Sequence, residues 1–224
     1  MQRQGMTEIF ENLFPFWDDL SDEDQEYLLD NSGRVNYPGG TNIHDGSECT
    51  GVILINSGSL RVYMLSDEGK ELTLYRLFQG DLCMMSASCV LESITHDVFV
   101  DAEEDADCLQ ISGPAFSYLA SKYADMKIFA LEATVTRFSD VMYAIEQIFF
   151  MNMEQRLAVF LLDELSKRGS TVITLTQEQI AKYMGSAREV VSRTLKGFAA
   201  KNIVSINRGG ITILDKKLLR ALTL

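Results

Sequence analysis

The sequence predicts an α+β chain of two modules. Residues 1–150 form an antiparallel β-roll or jelly roll that ends in a long helix at about 115–150, and residues 151–224 form a winged helix-turn-helix. Three observations carry this reading. Glycines punctuate short β-rich runs from about 33 to 112; an apolar stripe at helical spacing runs from Ile128 to Phe149; and two short helices joined at Gly185 precede a glycine-tipped hairpin.

Residues 7–30 are helical and acidic in texture, with Pro15 dividing the segment and Ser21 and Asp24 starting its second piece. Beyond residue 33, GVILINSGSLRVYML, SDEGKELTLYRL and FQGDLC alternate with glycine turns, and Asp67–Gly69 between Arg61–Leu65 and Glu71–Leu77 is a hairpin signal. Strands this regular, with no helix between them, point to an antiparallel roll or barrel. The run Glu103-Glu104-Asp105 reads as a solvated turn, and His44, Cys49 and Cys108 read as structural residues.

Helix returns at 115–150. Ile128, Leu131, Val135, Phe138, Met142, Ile145 and Phe149 follow spacings of three and four, a seam sustained over three heptads. Such a seam at one edge of a barrel fits a dimer interface; packing on its own barrel is the alternative. Phe150, Met151 and Met153 surround an expected hinge. Arg156, Leu157, Phe160, Leu161 and Leu165 mark a further amphipathic helix ending near Gly169, and residues 170–175 read as a short strand.

The most informative stretch is 175–198, LTQEQIAKYMGSAREVVSRTLKGF. Thr176 with Gln179 makes a capping box at the start of one helix, and Ser186 with Glu189 a second box at the start of the next. Ile180, Ala181 and Met184 line the inner face of the first helix; Val190, Val191, Leu195 and Phe198 line that of the second. Gly185 supplies the backbone freedom of the turn between them. The other face of the second helix carries Arg188, Glu189, Ser192, Arg193 and Lys196, the plan of a helix that enters a DNA major groove. Arginine donates two hydrogen bonds to guanine O6 and N7, and glutamate accepts from the cytosine amino group. A solvated face, with Glu189 acting only as a cap, is the competing reading. IVSINRGGITIL, with Gly209–Gly210 at the tip, then reads as a β-hairpin wing.

Charge sharpens the division. The whole chain carries −12, which taken alone argues against nucleic acid. Residues 1–151 hold 8 Lys and Arg against 26 Asp and Glu, a balance of −18, whereas residues 152–224 hold 12 against 6, a balance of +6. A basic module on an acidic body places the DNA contact at one end. No run of about 18 uncharged apolar residues is present, so no membrane span is expected. The N-terminus lacks the apolar core of a signal peptide. Cytoplasmic location follows as the expectation, with Cys49, Cys83, Cys89 and Cys108 reduced.

Barrel, seam helix, hinge and winged helix in this order resemble the Crp–Fnr family of bacterial transcription regulators, over nearly the whole chain. The resemblance rests on Gly39–Gly40, Gly58, Gly69 and Gly80–Asp81 in the barrel. In the second module it rests on Ile180-Ala181, Gly185 and the more specific set Arg188-Glu189-Val190-Val191-Ser192-Arg193. It implies a homodimer on a two-fold site in double-stranded DNA, with recognition helices in major grooves about 34 Å apart. It further implies that Arg188 and Arg193 read guanines, that Glu189 reads cytosine, and that Ser192 contacts a base or phosphate. The helix satisfies both the Arg-Glu-x-x-x-Arg and the Glu-x-x-Ser-Arg forms, which implies TGTGA- or TTGA-like half-sites. Thr176, Gln177, Lys196 and Arg208 are expected at phosphates.

The chain departs from the family at the effector. Relatives that bind cyclic AMP carry a Gly-Glu-Leu step and an Arg-Ser pair after the equivalent of Gly80–Asp81. Here Met84 and Met85 replace the glycine and glutamate, Thr95 and His96 stand near the arginine position, and no arginine occurs between Arg76 and Arg137. The hydroxyl pair of the long helix is also missing, with Val141 and Met142 about there. A nucleotide phosphate would lack its bidentate partner, so cyclic AMP is not expected. Residues 1–48 hold no cysteine, so the N-terminal iron–sulfur cluster of Fnr-like members is not expected either.

The segment Cys83, Met84, Met85, Ser86, Ala87, Ser88 and Cys89, with Val141 and Met142, is the candidate effector pocket. Its readings stay open: a redox-sensitive Cys83–Cys89 pair, a metal or haem held by sulfur and His96, a small apolar or aromatic ligand, or an anion at backbone N–H groups near Ser86–Ser88. Plain core packing by sulfur-bearing side chains stands beside them.

The expected function is therefore a dimeric DNA-binding regulator. The alternative is a sensor acting mainly through protein partners, RNA polymerase among them. No Ser–His–acid set, metal-hydrolase spacing or phosphate-cradling loop is present, so catalysis and a catalytic metal are not expected.

Overall fold

The computed structural model describes residues 2–46, 50–84 and 97–223. It divides into two compact units, Met1–Leu65 with Leu74–Val141, and Ser66–Thr73 with Met142–Leu224.

The first unit opens with helix α1 (Gln2–Leu13), a 3-10 turn (Trp17–Asp19) and α2 (Asp22–Asp30). The helical texture thus begins at Gln2, not near residue 7. Ser21 caps α2 as its position suggests, its hydroxyl accepting from the Asp24 amide.

Eight strands follow: β1 (Ser32–Tyr37), β2 (Asn42–His44), β3 (Val52–Ser57), β4 (Leu60–Leu65), β5 (Glu71–Leu77), β6 (Leu82–Cys83), β7 (Phe99–Ala102) and β8 (Ala106–Ile111). They form two four-stranded sheets, β1-β8-β3-β6 and β2-β7-β4-β5. The side-chain alternation of a strand assigns its residues to layers. Val52, Leu54, Leu82, Leu109 and Ile111 pack on a helical layer with Phe10, Phe14, Trp17 and Phe116. Their neighbours Ile53, Ile55, Cys83 and Cys108 join Leu60, Val62, Leu77 and Val100 of the other sheet in a second core. β3 is buried on both faces, which is why VILI is an unbroken apolar run. A slip of one residue would exchange the two faces, so register is firmly set.

Two expectations need correction here. The helix foreseen over 115–150 is two helices, α3 (Gly113–Lys122) and α4 (Ala124–Phe150), broken at an extended Tyr123. The cause is side-chain anchoring across the layer: the Tyr123 hydroxyl and the Lys122 ammonium both bond the buried Asp24 carboxylate on α2. Glu103-Glu104-Asp105 is not merely a solvated turn. Arg76 Nε donates to Glu103 Oε2 at 2.6 Å in a buried pair, the Ser59 hydroxyl donates to Glu104, and Asp105 accepts from the Gly39 amide.

The second unit contains α5 (Met153–Arg168), β9 (Val172–Ile173), α6 (Gln177–Met184), α7 (Arg188–Ala200), β10 (Val204–Asn207), β11 (Gly210–Ile213) and α8 (Lys216–Ala221). Asn152 and Gln155 cap α5 reciprocally, and left-handed Gly169 ends it. The strands pair as β10-β11-β9. Leu157, Leu161, Ile180, Val191, Leu195 and Phe198 are fully buried in one core that joins α5, α6 and α7. Gly210 has φ +127°, and a Cβ there would sit 2.3 Å from the Ile173 carbonyl oxygen, so glycine permits the β9–β11 approach.

Candidate nucleic-acid interface

Thr176 starts α6 with both halves of its capping box formed. The Gln179 amide donates to the Thr176 hydroxyl at 3.1 Å, and the Thr176 amide donates to the Gln179 side chain at 2.8 Å. Gly185 ends α6 in the left-handed region, φ +58°. α7 does not begin as expected. Its N-cap is Ala187, with no side-chain cap bond, so Glu189 falls at N2 and Ser186 lies outside the helix. The Ser186 hydroxyl faces the Met153 sulfur instead. The chain uses one more residue in the turn than a box at Ser186 allows, and that frees the Glu189 carboxylate from capping.

At 100° per residue, Arg188, Glu189, Ser192, Arg193 and Lys196 fall within an arc of about 140° on α7. Val191, Leu195 and Phe198 are buried on the opposite side, and Val190 is half-buried at the boundary. Arg188, Glu189, Arg193 and Lys196 are exposed, and Ser192 is half-buried. Arg208 stands at the wing tip, where Asn207 and Gly210 pair and Arg208-Gly209 makes the turn, one residue earlier than foreseen. Among the described residues, Arg188, Arg193, Lys196 and Arg208 have no ion-pair partner. Lys182 pairs with Glu71 at 2.8 Å and Lys201 with Glu154 at 3.5 Å in the same unit. The reading face and the wing thus present cations that no carboxylate engages among the described residues.

One positioning residue was not singled out for this role. Arg156 on α5 donates to the Met184 carbonyl at the end of α6, beside Gly185. Burial pulls its guanidinium below the ordinary arginine range. Its only signal in the sequence is an arginine on the inner side of an amphipathic helix.

The sheet sandwich receives the effector-pocket residues unevenly. Cys83 and Val141 belong to the core between the sheets, whereas Met84 faces the helical layer, so Cys83 and Met84 do not converge. Strand alternation is the reason. Met142 is exposed. Met85, Ser86, Ala87, Ser88, Cys89, Thr95, His96 and Cys49 lie outside the described residues. Cys83 on β6 and Cys108 on β8 flank β3 on opposite sides. Two strand spacings, about 9.5 Å, separate them, beyond the reach of a disulfide. Burial pushes the Cys108 thiol up to about 12, with Asp107 and Cys83 adding to it, so it is a packing thiol. His44 is buried beside the Thr50 hydroxyl at 3.1 Å, a structural placement. Among the described residues no group of three His, Cys, Asp or Glu is placed to hold a metal ion.

Residues 155–222 match the Crp-like helix-turn-helix domain, and residues 34–123 match the cyclic nucleotide-binding domain. A Crp/Fnr-family transcriptional regulator from Eubacterium rectale is 43% identical, covering 95% of this chain and 99% of its own, with a TM-score of 0.89. The chain belongs to the Crp/Fnr family. Two curated relatives are also similar. The anaerobic regulatory protein of Haemophilus influenzae is 29% identical over 76% of this chain and 68% of its own. The cAMP-activated global transcriptional regulator CRP of Salmonella typhimurium is 25% identical over 86% and 95%. This chain is accordingly a Crp/Fnr-type transcription regulator with a DNA-binding helix-turn-helix, in a family of regulators and not of enzymes. Among the described residues no helix is long and apolar enough to cross a membrane.

Proposed function

We propose that this Crp/Fnr regulator works in the cytoplasm as a homodimer on a two-fold DNA site with TGTGA- or TTGA-like half-sites. Arg188, Glu189, Ser192 and Arg193 read bases, and Thr176, Gln177, Lys196 and Arg208 hold phosphates. The observation that carries this reading is the α7 face: five polar side chains on one arc, with its three cations unpaired among the described residues and its glutamate released from capping. The modules are 1–150 and 151–224.

Dimerisation through α4 is supported by its seam. Ile128, Leu131, Val135, Phe138, Met142, Ile145 and Phe149 are all exposed in the single chain, Val135 at 66% and Phe149 at 77%. A stripe of that size on one helix is a surface that a second copy would cover. Control rests with an effector in the sheet sandwich that is not a cyclic nucleotide. In support, Val141 is apolar and packs on the sandwich core, and Arg137 is already engaged by Asp81 at 2.8 Å and Asp140 at 2.9 Å.

The test is selection of bound sequences from a randomised DNA pool with wild type and Arg193→Ala. Wild type is expected to enrich a palindrome of the stated half-sites. The variant is expected to lose discrimination at one position per half-site, a cost of about 1–3 kcal/mol each. Unchanged selection by the variant contradicts the assignment.

A further inference from the structure

The core between the two sheets holds a polar feature that packing does not explain. The Tyr75 hydroxyl, on β5, is buried and has no hydrogen-bond partner among the described residues. Close to it, the Arg137 guanidinium of α4 lies 5.6 Å from the Tyr75 ring, and its Nε is likewise buried and without a partner among the described residues. The other nitrogens of Arg137 are occupied, Nη1 by Asp140 and the Arg76 carbonyl and Nη2 by Asp81. Two buried donors left bare this near one another are uncommon, because each such group forgoes hydration with nothing in return. In this core Leu77, Val62, Val98 and Val100, with Val141 packed against them, offer no hydrogen-bonding atom, and Cys83 and Cys108 offer only thiols, which are weak donors.

We infer that Tyr75 and Arg137 Nε are the polar anchors of the effector site, and that the effector is a small, mostly apolar, uncharged molecule presenting an acceptor oxygen. This rests on the proposed effector role of the sandwich and names its ligand class. Apolar walls with few polar groups are the usual make-up of a small-molecule site. Charge selects the class further. Arg137 already faces two carboxylates, Asp81 and Asp140, so the surroundings carry an excess of negative charge that disfavours an anion. Burial keeps the Tyr75 hydroxyl protonated, hence a donor. An acceptor shared by the two groups would join β5 to α4, the helix that carries the exposed seam.

The experiment uses the full chain and three probes of matched shape: acetophenone, which has the oxygen; α-methylstyrene, which lacks it; and benzoate, which is charged. Saturable binding is read from the thermal midpoint and from the anisotropy of a labelled operator. Acetophenone is expected to bind about tenfold tighter than α-methylstyrene, as two modest hydrogen bonds would give. That preference is expected to vanish in Tyr75→Phe and to fall in Arg137→Lys, which keeps the charge but removes Nε. Tyr75→Phe is expected to be at least as stable as wild type without probe, since it deletes an unpartnered hydroxyl, and that separates loss of binding from loss of fold. Equal binding of ketone and hydrocarbon would overturn the anchors and leave the sandwich as the effector chamber. Tightest binding of benzoate would overturn the uncharged class. No saturable binding of any probe would overturn the inference and the effector reading together.

Discussion

The two halves of this regulator use charge in opposite ways. In the strand-rich unit three arginines are paired and largely buried: Arg61 with Asp101, Arg76 with Glu103, Arg137 with Asp81. On α7 and the wing, Arg188, Arg193, Lys196 and Arg208 are exposed and without an ion-pair partner among the described residues. A paired, buried charge is committed to the fold, because removing its partner strands the other ion. An exposed, unpaired one contributes little to stability and is available to phosphate or base. Composition averages the two and hides both.

The difference can be broken from either side. The largest effect on stability is expected from Arg76→Met, which leaves the Glu103 carboxylate buried and unpaired, at a cost of about 3–5 kcal/mol in denaturant unfolding. Adding Glu103→Leu is expected to recover much of that loss; if it recovers none, the pair is not what holds β5 to the turn after β7. Arg193→Ala is expected to behave in reverse, lowering specific DNA affinity with no measurable change in thermal midpoint. Thr176→Ala removes a formed capping box, and should lower stability by about 0.5–2 kcal/mol and weaken DNA binding through α6. An unchanged midpoint would show that α6 is held by its core contacts alone.

The smallest effect is a pH dependence in the helical layer. Lys122, then Tyr123 and Ser21, hold the Asp24 carboxyl down at about 2, against an ordinary value of 3.8. A depressed folded-state value means that the contribution is complete above about pH 4 and fades as pH falls towards 2. Asp24→Asn should therefore lower stability at neutral pH and show a shallower loss through that window. Parallel acid-unfolding curves for the two proteins would remove Asp24 from the account.

Much of this was legible in the chain, for local reasons. Thr176 and Gln179 stand at the spacing of a reciprocal cap, Gly185 where a left-handed residue is needed, and Asp67–Gly69 between two strand-like runs; each signal is complete within a few residues. What escaped notice depends on distant partners. Ser186 and Glu189 have the spacing of a capping box, but the packed turn starts α7 at Arg188 and leaves the box unused. Tyr123 interrupts a good helical pattern because Asp24, far away in sequence, binds its hydroxyl. Glu103 looks like surface until Arg76 is placed beside it. Cys83 and Met84 are neighbours in sequence but belong to different cores, a separation that only the strand assignment makes visible.

The most direct test of the central claim, that two α7 helices of a dimer read adjacent grooves, is affinity against half-site spacing. Anisotropy titrations would compare a palindrome whose half-site centres lie about 10–10.5 base pairs apart with one lengthened by about five base pairs. The account predicts that the insertion turns the second half-site to the far side of the duplex and reduces binding to the level of unrelated DNA. Equal affinity for both would mean that single chains read single half-sites, and would contradict it.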